Sequence, residues 1–132
     1  MQPNQTVPAE LAEVGGLCPA FHQTIEFIGR RWMGAIVLIL MHGPHRYNEL
    51  LGEIPGLSDR LLTERLRDLE ERELVVRRVL TLSPIRVEYE LTDAGRDLHE
   101  MFVAIQRWGH KWFDNESTAL DPPAINADSA TK

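Results

Sequence analysis

The sequence predicts a mainly α-helical fold that carries one small β-hairpin. Apolar residues recur at helical spacing over most of the chain, give way to a stretch rich in valine and leucine at 74–82 and to alternation with polar residues at 85–91, and then return to helical spacing. With 132 residues, 43% of them hydrophobic, the chain suits one domain with one core. We expect a flexible N-terminal arm over 1–15, the folded domain over 16–113 and a disordered tail over 114–132.

The first half of the domain is predicted to be helical. Pro19 to Ile28 begins with proline at the first helical position, where the missing N–H costs nothing. Trp32 to Met41 is apolar all round, and its length and the following His42-Gly43-Pro44 favour a buried central helix over a strand. Tyr47 to Ile54 is expected to form a short helix, followed by a turn at Pro55-Gly56.

A second capped helix is expected at about 58–71. Ser58 has a side chain that caps a helix N-terminus well, and Asp59 suits the positive end of the helix dipole. Leucines recur on one face and predict burial of that face. These leucines are Leu62, Leu66 and Leu69, and the opposite face carries Arg60, Thr63, Glu64, Arg67 and Glu71.

The second half is predicted to contain the hairpin and one long helix. Leu74 to Leu82 and Ile85 to Leu91 form the hairpin, with a turn at Ser83-Pro84. Thr92 caps a helix that runs to about Phe113, and its apolar face is wider than one buried stripe. We therefore expect a second subunit to cover this apolar face. The expected dimer interface consists of Leu98, Met101, Phe102, Ile105, Trp108 and Trp112.

Composition excludes several classes of protein. The longest apolar run is far shorter than the ~20 residues of a membrane helix, and the N-terminus lacks a signal-peptide pattern. We therefore expect a cytoplasmic protein without a membrane partner. A single cysteine cannot form an internal disulfide. The histidines complete no zinc pattern, so no metal or cofactor is expected; they are His22, His42, His45, His99 and His110.

The charge is distributed unevenly along the chain. The net charge is −6, but the stretch 58–86 holds seven arginines against six acidic residues. Arginine suits bidentate contacts to phosphate or guanine. The middle of the chain is therefore the candidate surface for an anionic partner, inside an otherwise acidic protein.

The order of helix, tight turn, capped helix and hairpin is that of a winged helix-turn-helix, which is typical of DNA binding. The helix at about 58–71 is expected to enter the major groove of double-stranded DNA, with Arg60, Thr63 and Arg67 exposed. Ser58 and the free N–H groups beside it can bind a backbone phosphate.

The hairpin is expected to make the other contact with DNA. Arg86 near its tip, helped by Arg78, can reach a minor groove or a phosphate. The alternative is a solvated helix face in which acids and arginines pair along the helix. The pairs considered are Glu64–Arg67 and Asp68–Arg72.

Several motifs together resemble the HxlR-type winged helix-turn-helix regulators of bacteria. They are CP at 18–19, GRRW at 29–32, GP at 43–44, RYNEL at 46–50, IPGLS at 54–58, LTERLRDL at 62–69, VEYELT at 87–92, Gly95 and Trp108. The resemblance implies a homodimeric transcription factor, a repressor or an activator, paired through its terminal helix and N-terminal segment. It also implies that Ser58, Arg60, Thr63 and Arg67 face the major groove. The family usually has glycine where this chain has Glu73, so we expect either backbone strain there or a helix that runs on.

Two interpretations of Cys18 stay open. It sits at a helix cap, where the helix dipole favours a thiolate, and some members of the resembled family use a cysteine there to sense oxidants or electrophiles. The other interpretation is a small buried hydrophobic residue. A small-molecule effector between subunits is a further expectation, with aromatic lining. The lining residues would be Phe21, Phe27, Trp32, Phe102, Trp108 and Trp112.

Two other classes of function remain as alternatives. One is a thiol-dependent enzyme that uses Cys18 with His22, one helical turn further on. No glycine-rich loop or oxyanion cradle accompanies this pair, so we expect no enzyme. The other is a winged-helix module that binds only proteins, which would need apolar anchors in place of arginines on its exposed helix.

Overall fold

The structure is a computed structural model that describes residues 8–9 and 16–113. Most of the expected arm over 1–15 and the whole expected tail over 114–132 lie outside the described residues. The elements are α1 (Pro19–Ile28), α2 (Met33–Leu40), β1 (His45–Arg46), α3 (Tyr47–Glu53), α4 (Asp59–Glu71), β2 (Val75–Leu82), β3 (Ile85–Leu91), α5 (Asp93–Arg96) and α6 (His99–Trp112).

The hydrophobic core is built around α2. Met33, Ile36 and Val37 are completely buried, which confirms the prediction of a central helix over this apolar run. Residues from α1, α3, α4, both hairpin strands and α6 pack around it. These are Phe27, Ile28, Leu50, Ile54, Leu57, Leu62, Leu66, Leu69, Val75, Leu91 and Phe102, with Leu40 from α2 itself. The three leucines of α4 thus hold one face of that helix against the core.

The sheet is three-stranded and antiparallel, in the order β1-β3-β2. The predicted hairpin of β2 and β3 is confirmed, and its turn at Ser83-Pro84 has a cis peptide bond. The register shifts between Val79 and Thr81 on β2. Strand β1 was not expected. It pairs with β3 through His45 opposite Tyr89, and a two-residue strand is too short to show alternation.

The single long helix predicted after Thr92 is wrong, because the structure divides it into α5 and α6. Thr92 does cap a helix, since its Oγ1 accepts the Gly95 N–H at 3.2 Å. That helix ends at Arg96, and the Leu98 N–H bonds back to the Gly95 carbonyl at 3.1 Å in a tight turn. Gly95 packs against the Leu74 carbonyl so closely that a side chain would collide with it. This contact packs α5 closely against Leu74, the residue that precedes β2.

The end of α4 shows which of the two expectations for Glu73, backbone strain or a longer helix, is correct. The helix stops at Glu71, and Glu73 adopts a left-handed backbone conformation with φ of 59°. The Glu73 N–H bonds to the Glu70 carbonyl and the Leu74 N–H to the Leu69 carbonyl, each at 2.9 Å. This is the hydrogen-bond pattern of a helix end that usually has glycine at the left-handed position. Glu73 therefore carries backbone strain, and the helix does not run on.

Among the described residues, no helix has both the length and the apolar character needed to cross a membrane.

Candidate nucleic-acid interface

The N-terminus of α4 is capped as predicted. The Leu61 N–H donates to Ser58 Oγ at 3.2 Å, and Ser58 has the extended backbone of a capping residue. Asp59 follows in the first turn. Ser58 itself is exposed, so its hydroxyl proton can reach a phosphate while its oxygen caps the helix.

Arg60 and Arg67 face outward from α4, opposite its buried leucines. The Arg60 side chain is 87% exposed, and its Nε lies 3.5 Å from Glu64 Oε2. Arg67 is exposed and has no ion pair within the part of the chain that the structure describes. The pairs considered in the sequence, Glu64–Arg67 and Asp68–Arg72, are not formed. The outward face of α4 therefore keeps two guanidinium groups accessible.

The Tyr47 hydroxyl joins the start of α3 to the start of α4. It lies 2.8 Å from the Asp59 carbonyl oxygen and 3.0 Å from Thr63 Oγ1. Burial is the main cause that raises the pKa of Tyr47 above its ordinary value, so the hydroxyl stays protonated and can donate. Thr63 is exposed as expected, but its hydroxyl is held by Tyr47. The motif RYNEL contains this tyrosine, yet nothing in the spacing indicates its partner.

Two of the seven central arginines are structural. Arg65 is only 15% exposed, and it donates from Nε to the Arg31 carbonyl at 2.9 Å and from Nη1 to Asp68 Oδ2 at 3.0 Å. The Arg72 guanidinium lies over the Phe27 ring, 4.4 Å from its centroid. The arginine count of this stretch thus overstates its DNA-facing charge. The residues left for that role are Arg60, Arg67, Arg77, Arg78 and Arg86.

An open cleft of about 410 Å³ separates α4 from the hairpin; it is called the α4–hairpin cleft below. Arg67 lines it from α4, and Arg77 and Tyr89 line it from the hairpin. Its other lining residues are Tyr47, Thr63, Leu66, Glu70 and Glu71. Arg77 was not expected at this site, because alternation alone does not say which face of a hairpin meets α4.

Arg78 and Arg86 lie on the hairpin face that points away from this cleft. Arg78 alternates with Arg77 along β2, and its Nε contacts Glu90 Oε1 at 2.8 Å. Arg86 is exposed near the turn and pairs in register with Thr81. Of these two predicted DNA contacts, Arg78 is thus engaged in an ion pair and Arg86 is open to solvent.

The residues expected at a dimer interface divide into two groups. Phe102 is buried in the core of its own chain, and Leu98 and Met101 pack partly against that core. The others are exposed, with Trp108 at 56%. They form an apolar stretch on α6 consisting of Ile105, Trp108, Trp112 and the adjoining Phe113. The aromatic residues expected to line a small-molecule site divide in the same way, since Phe27 is buried and Phe21 is exposed.

Cys18 is the capping residue at the N-terminus of α1. It is partly exposed and is a free thiol, and its side chain makes no capping hydrogen bond. Its carbonyl accepts the His22 N–H at 2.9 Å, but the structure shows no bond between the thiol and the His22 ring. Across the described ranges 8–9 and 16–113, no three His, Cys, Asp or Glu residues are grouped as a metal site would require.

This fold, with an arginine-bearing helix held outward beside a hairpin, defines the class of winged helix-turn-helix DNA-binding proteins. The comparison with known proteins gives the family. Residues 27–117 match the HxlR-like helix-turn-helix family, and the chain belongs to that family. The resemblance found in the sequence motifs is thereby confirmed.

Relatives of known class cover most of the chain. The HTH-type transcriptional regulator YvaP of Bacillus subtilis (strain 168) is 38% identical over 98 residues, which are 74% of this chain and 91% of YvaP. The HTH-type transcriptional regulator YodB of the same strain is 36% identical over 105 residues, which are 80% of this chain and 94% of YodB. The protein is therefore a DNA-binding transcriptional regulator and not an enzyme.

Solved structures of YodB share the fold. The reduced form matches with a TM-score of 0.68 and 37% identity, over 76% of this chain and 99% of that one. The quinone-bound form matches with a TM-score of 0.64 and 38% identity, over 73% of this chain and 100% of that one. YodB has thus been solved both reduced and with quinone bound.

Proposed function

We propose that the protein acts in the cytoplasm as a homodimer that binds a double-stranded DNA operator, with α4 of each subunit in the major groove. The observation that carries the proposal is the outward orientation of Arg60 and Arg67, opposite the leucines that fix α4 to the core. Arginine in this position can bond guanine O6 and N7 in the groove. The two helices of a dimer address half-sites about 34 Å apart.

Substitution of Arg67 tests this assignment. Arg67→Ala should weaken binding to the operator by about tenfold, because it removes one of the two guanidinium groups that the outward face of α4 offers to DNA. Arg72→Ala removes the same charge near the end of the same helix, but that side chain lies over Phe27. It should therefore weaken binding much less. Gel-shift titrations at several salt concentrations measure both, and unchanged affinity of Arg67→Ala would contradict the docking.

We also propose that Cys18 makes DNA binding responsive to oxidants or electrophiles. Support comes from YodB, which has been solved both reduced and quinone-bound, and from the partly exposed position of the thiol at the start of α1. With one cysteine per chain, the products are a disulfide between subunits, a mixed disulfide or an adduct. A disulfide between subunits transfers two electrons and two protons to the oxidant. A quinone instead adds to one thiol and takes up its proton.

Footprinting on the region upstream of the protein's own gene tests this second proposal. Oxidant or quinone should release wild-type protein from DNA and leave Cys18→Ser bound. Reductant should restore the wild-type footprint after a disulfide has formed, but not after quinone addition. Equal release of both proteins would show that Cys18 is not the sensor.

A further inference from the structure

We propose that the α4–hairpin cleft binds one phosphodiester group of the DNA backbone, with Arg67 and Arg77 as its cationic ligands. The inference rests on the proposed function and adds a specific contact to it. It adds Arg77, which the sequence did not indicate, to the hairpin contacts expected from Arg86 and Arg78.

The hairpin register places Arg77 on the side of the cleft. Val75 pairs with Leu91 and Arg77 pairs with Tyr89, so these two pairs occupy the same face of the hairpin. Val75 and Leu91 are buried in the core beneath that face. Two residues further along each strand, Arg77 and Tyr89 lie on the same face but beyond the core, and they line the cleft opposite α4.

The two arginines of the cleft are available to a ligand. Within the described residues, neither the Arg67 nor the Arg77 side chain makes a hydrogen bond or an ion pair. Arg78 differs, because Glu90 holds its guanidinium at 2.8 Å. Guanidinium groups match the oxygens of a phosphate and bind them with charge-assisted hydrogen bonds. The Tyr89 hydroxyl, on the same wall, adds a donor of the kind that contacts DNA backbones.

Two carboxylates determine which phosphate the cleft accepts. Glu70 and Glu71 line it beside the two arginines, so the four groups together have no formal net charge. A free phosphate dianion would face these carboxylates with its full charge and would be repelled. A diester has one negative charge and is held in place by the rest of the DNA. The cleft chemistry therefore favours a backbone phosphate over an inorganic one.

The position of the cleft agrees with this ligand. It opens between α4, which is proposed to enter the major groove, and the hairpin, which is proposed to reach the neighbouring minor groove. The strand of DNA between these two grooves is a sugar-phosphate backbone. A contact of this kind sets the register of the protein on the duplex without reading its sequence.

Adjacent arginines on opposite hairpin faces provide a matched test. Arg77→Ala and Arg78→Ala remove the same charge from neighbouring positions. Arg77→Ala should weaken binding by about tenfold on operator and on unrelated duplex alike, and should reduce the slope of log K against log salt by about 1. Arg78→Ala should change the slope much less. Equal effects of the two substitutions, or a changed base preference without a changed slope, would overturn the inference.

A competition experiment separates the two sources of phosphate. Inorganic phosphate, added at constant ionic strength, should displace DNA from wild-type protein no better than chloride does. Displacement from wild type but not from Arg77→Ala would make the cleft a site for free phosphate and would overturn the inference. Failure of the wild-type protein to bind any duplex would instead refute the proposed function.

Discussion

Glu73 shows how a single residue can carry strain at a structurally important point. Its left-handed backbone ends α4, and its carbonyl accepts a hydrogen bond from Thr92 Oγ1 at 2.7 Å. A side chain in this conformation costs about 1 kcal/mol or more relative to glycine. The strained residue lies in the short connection between the end of α4 and the start of the hairpin.

Glycine at this position should stabilise the protein. Glu73→Gly is expected to raise the free energy of unfolding by about 1 kcal/mol, because the strain is removed and the carbonyl contact to Thr92 remains. Urea denaturation at fixed protein concentration measures the change. Glu70→Gly, placed inside α4, should instead destabilise by about 1 kcal/mol. Equal effects of the two substitutions would contradict the assignment of strain to Glu73.

Residue roles could be predicted from the sequence only where they depend on local chain position. The caps at Ser58 and Thr92 were predicted because a cap bonds a backbone group three residues away. The bond of Tyr47 to Asp59 and that of Arg65 to the Arg31 carbonyl were not, because these partners are 12 and 34 residues distant along the chain. The outward direction of Arg67 was predictable from the leucine stripe. The choice between Arg77 and Arg78 needed the packing of the hairpin.

At the scale of elements, polar contacts join the end of α1 to the middle of α4. Asp68 on α4 lies 3.1 Å from Arg30 Nη1 and 3.0 Å from Arg65 Nη1, and Arg65 also binds the Arg31 carbonyl. The Asp68 side chain is only 23% exposed. Arginines 30 and 31 come directly after α1. The position of α4 is therefore set both by its leucines and by this polar junction.

Loss of the Asp68 contacts should destabilise the folded protein. Asp68→Ala should lower the free energy of unfolding by about 2 kcal/mol, because it removes the carboxylate that lies 3.0 Å from the largely buried Arg65 guanidinium. Asp93 offers a control, since it also pairs with an arginine three residues away but is 99% exposed. Asp93→Ala should cost less than about 1 kcal/mol. Similar losses in thermal or urea denaturation would show that the junction does not stabilise the fold.

The elements themselves were largely predictable. Helices α1 to α4 and the hairpin strands were expected close to their observed bounds, because each has a clear period and a local stop signal. Two features were missed for physical reasons. Strand β1 is only two residues long and pairs with β3, which is distant along the chain. The break between α5 and α6, at Asp97 and Leu98, contains no glycine or proline that would mark it.

At the scale of the whole molecule, one apolar surface has no cover within the described chain. Ile105, Trp108, Trp112 and Phe113 are all more than half exposed at the end of the fold. Trp108 and Phe113 contact each other edge to face, with ring centroids 5.4 Å apart. Phe21 and Ile25 of α1 are further exposed apolar residues. A second copy of the chain is the cover that the proposed function requires.

Substitution of Trp108 tests this interface. Trp108→Glu should weaken the dimer by about 30-fold or more, because aromatic residues dominate the energy of such interfaces. The fold of each chain should persist, since Trp108 lies outside the buried core. Sedimentation measures the association and circular dichroism the fold. Leu82→Glu, at a hairpin residue that is 79% exposed, should leave the dimer intact. A dimer that is insensitive to Trp108→Glu would refute this interface.

The contacts at Asp68 also connect α4, which is proposed to bind the operator, with the segment that follows α1. Cys18 lies at one end of α1, and Arg30, just beyond the other end, is bound to α4. Any energetic coupling between the thiol and the operator must be reciprocal. If oxidation lowers operator affinity by a given factor, then the operator shifts the oxidation equilibrium of Cys18 toward the reduced state by the same factor. In that case Cys18 would be harder to oxidise in protein bound to its promoter than in free protein.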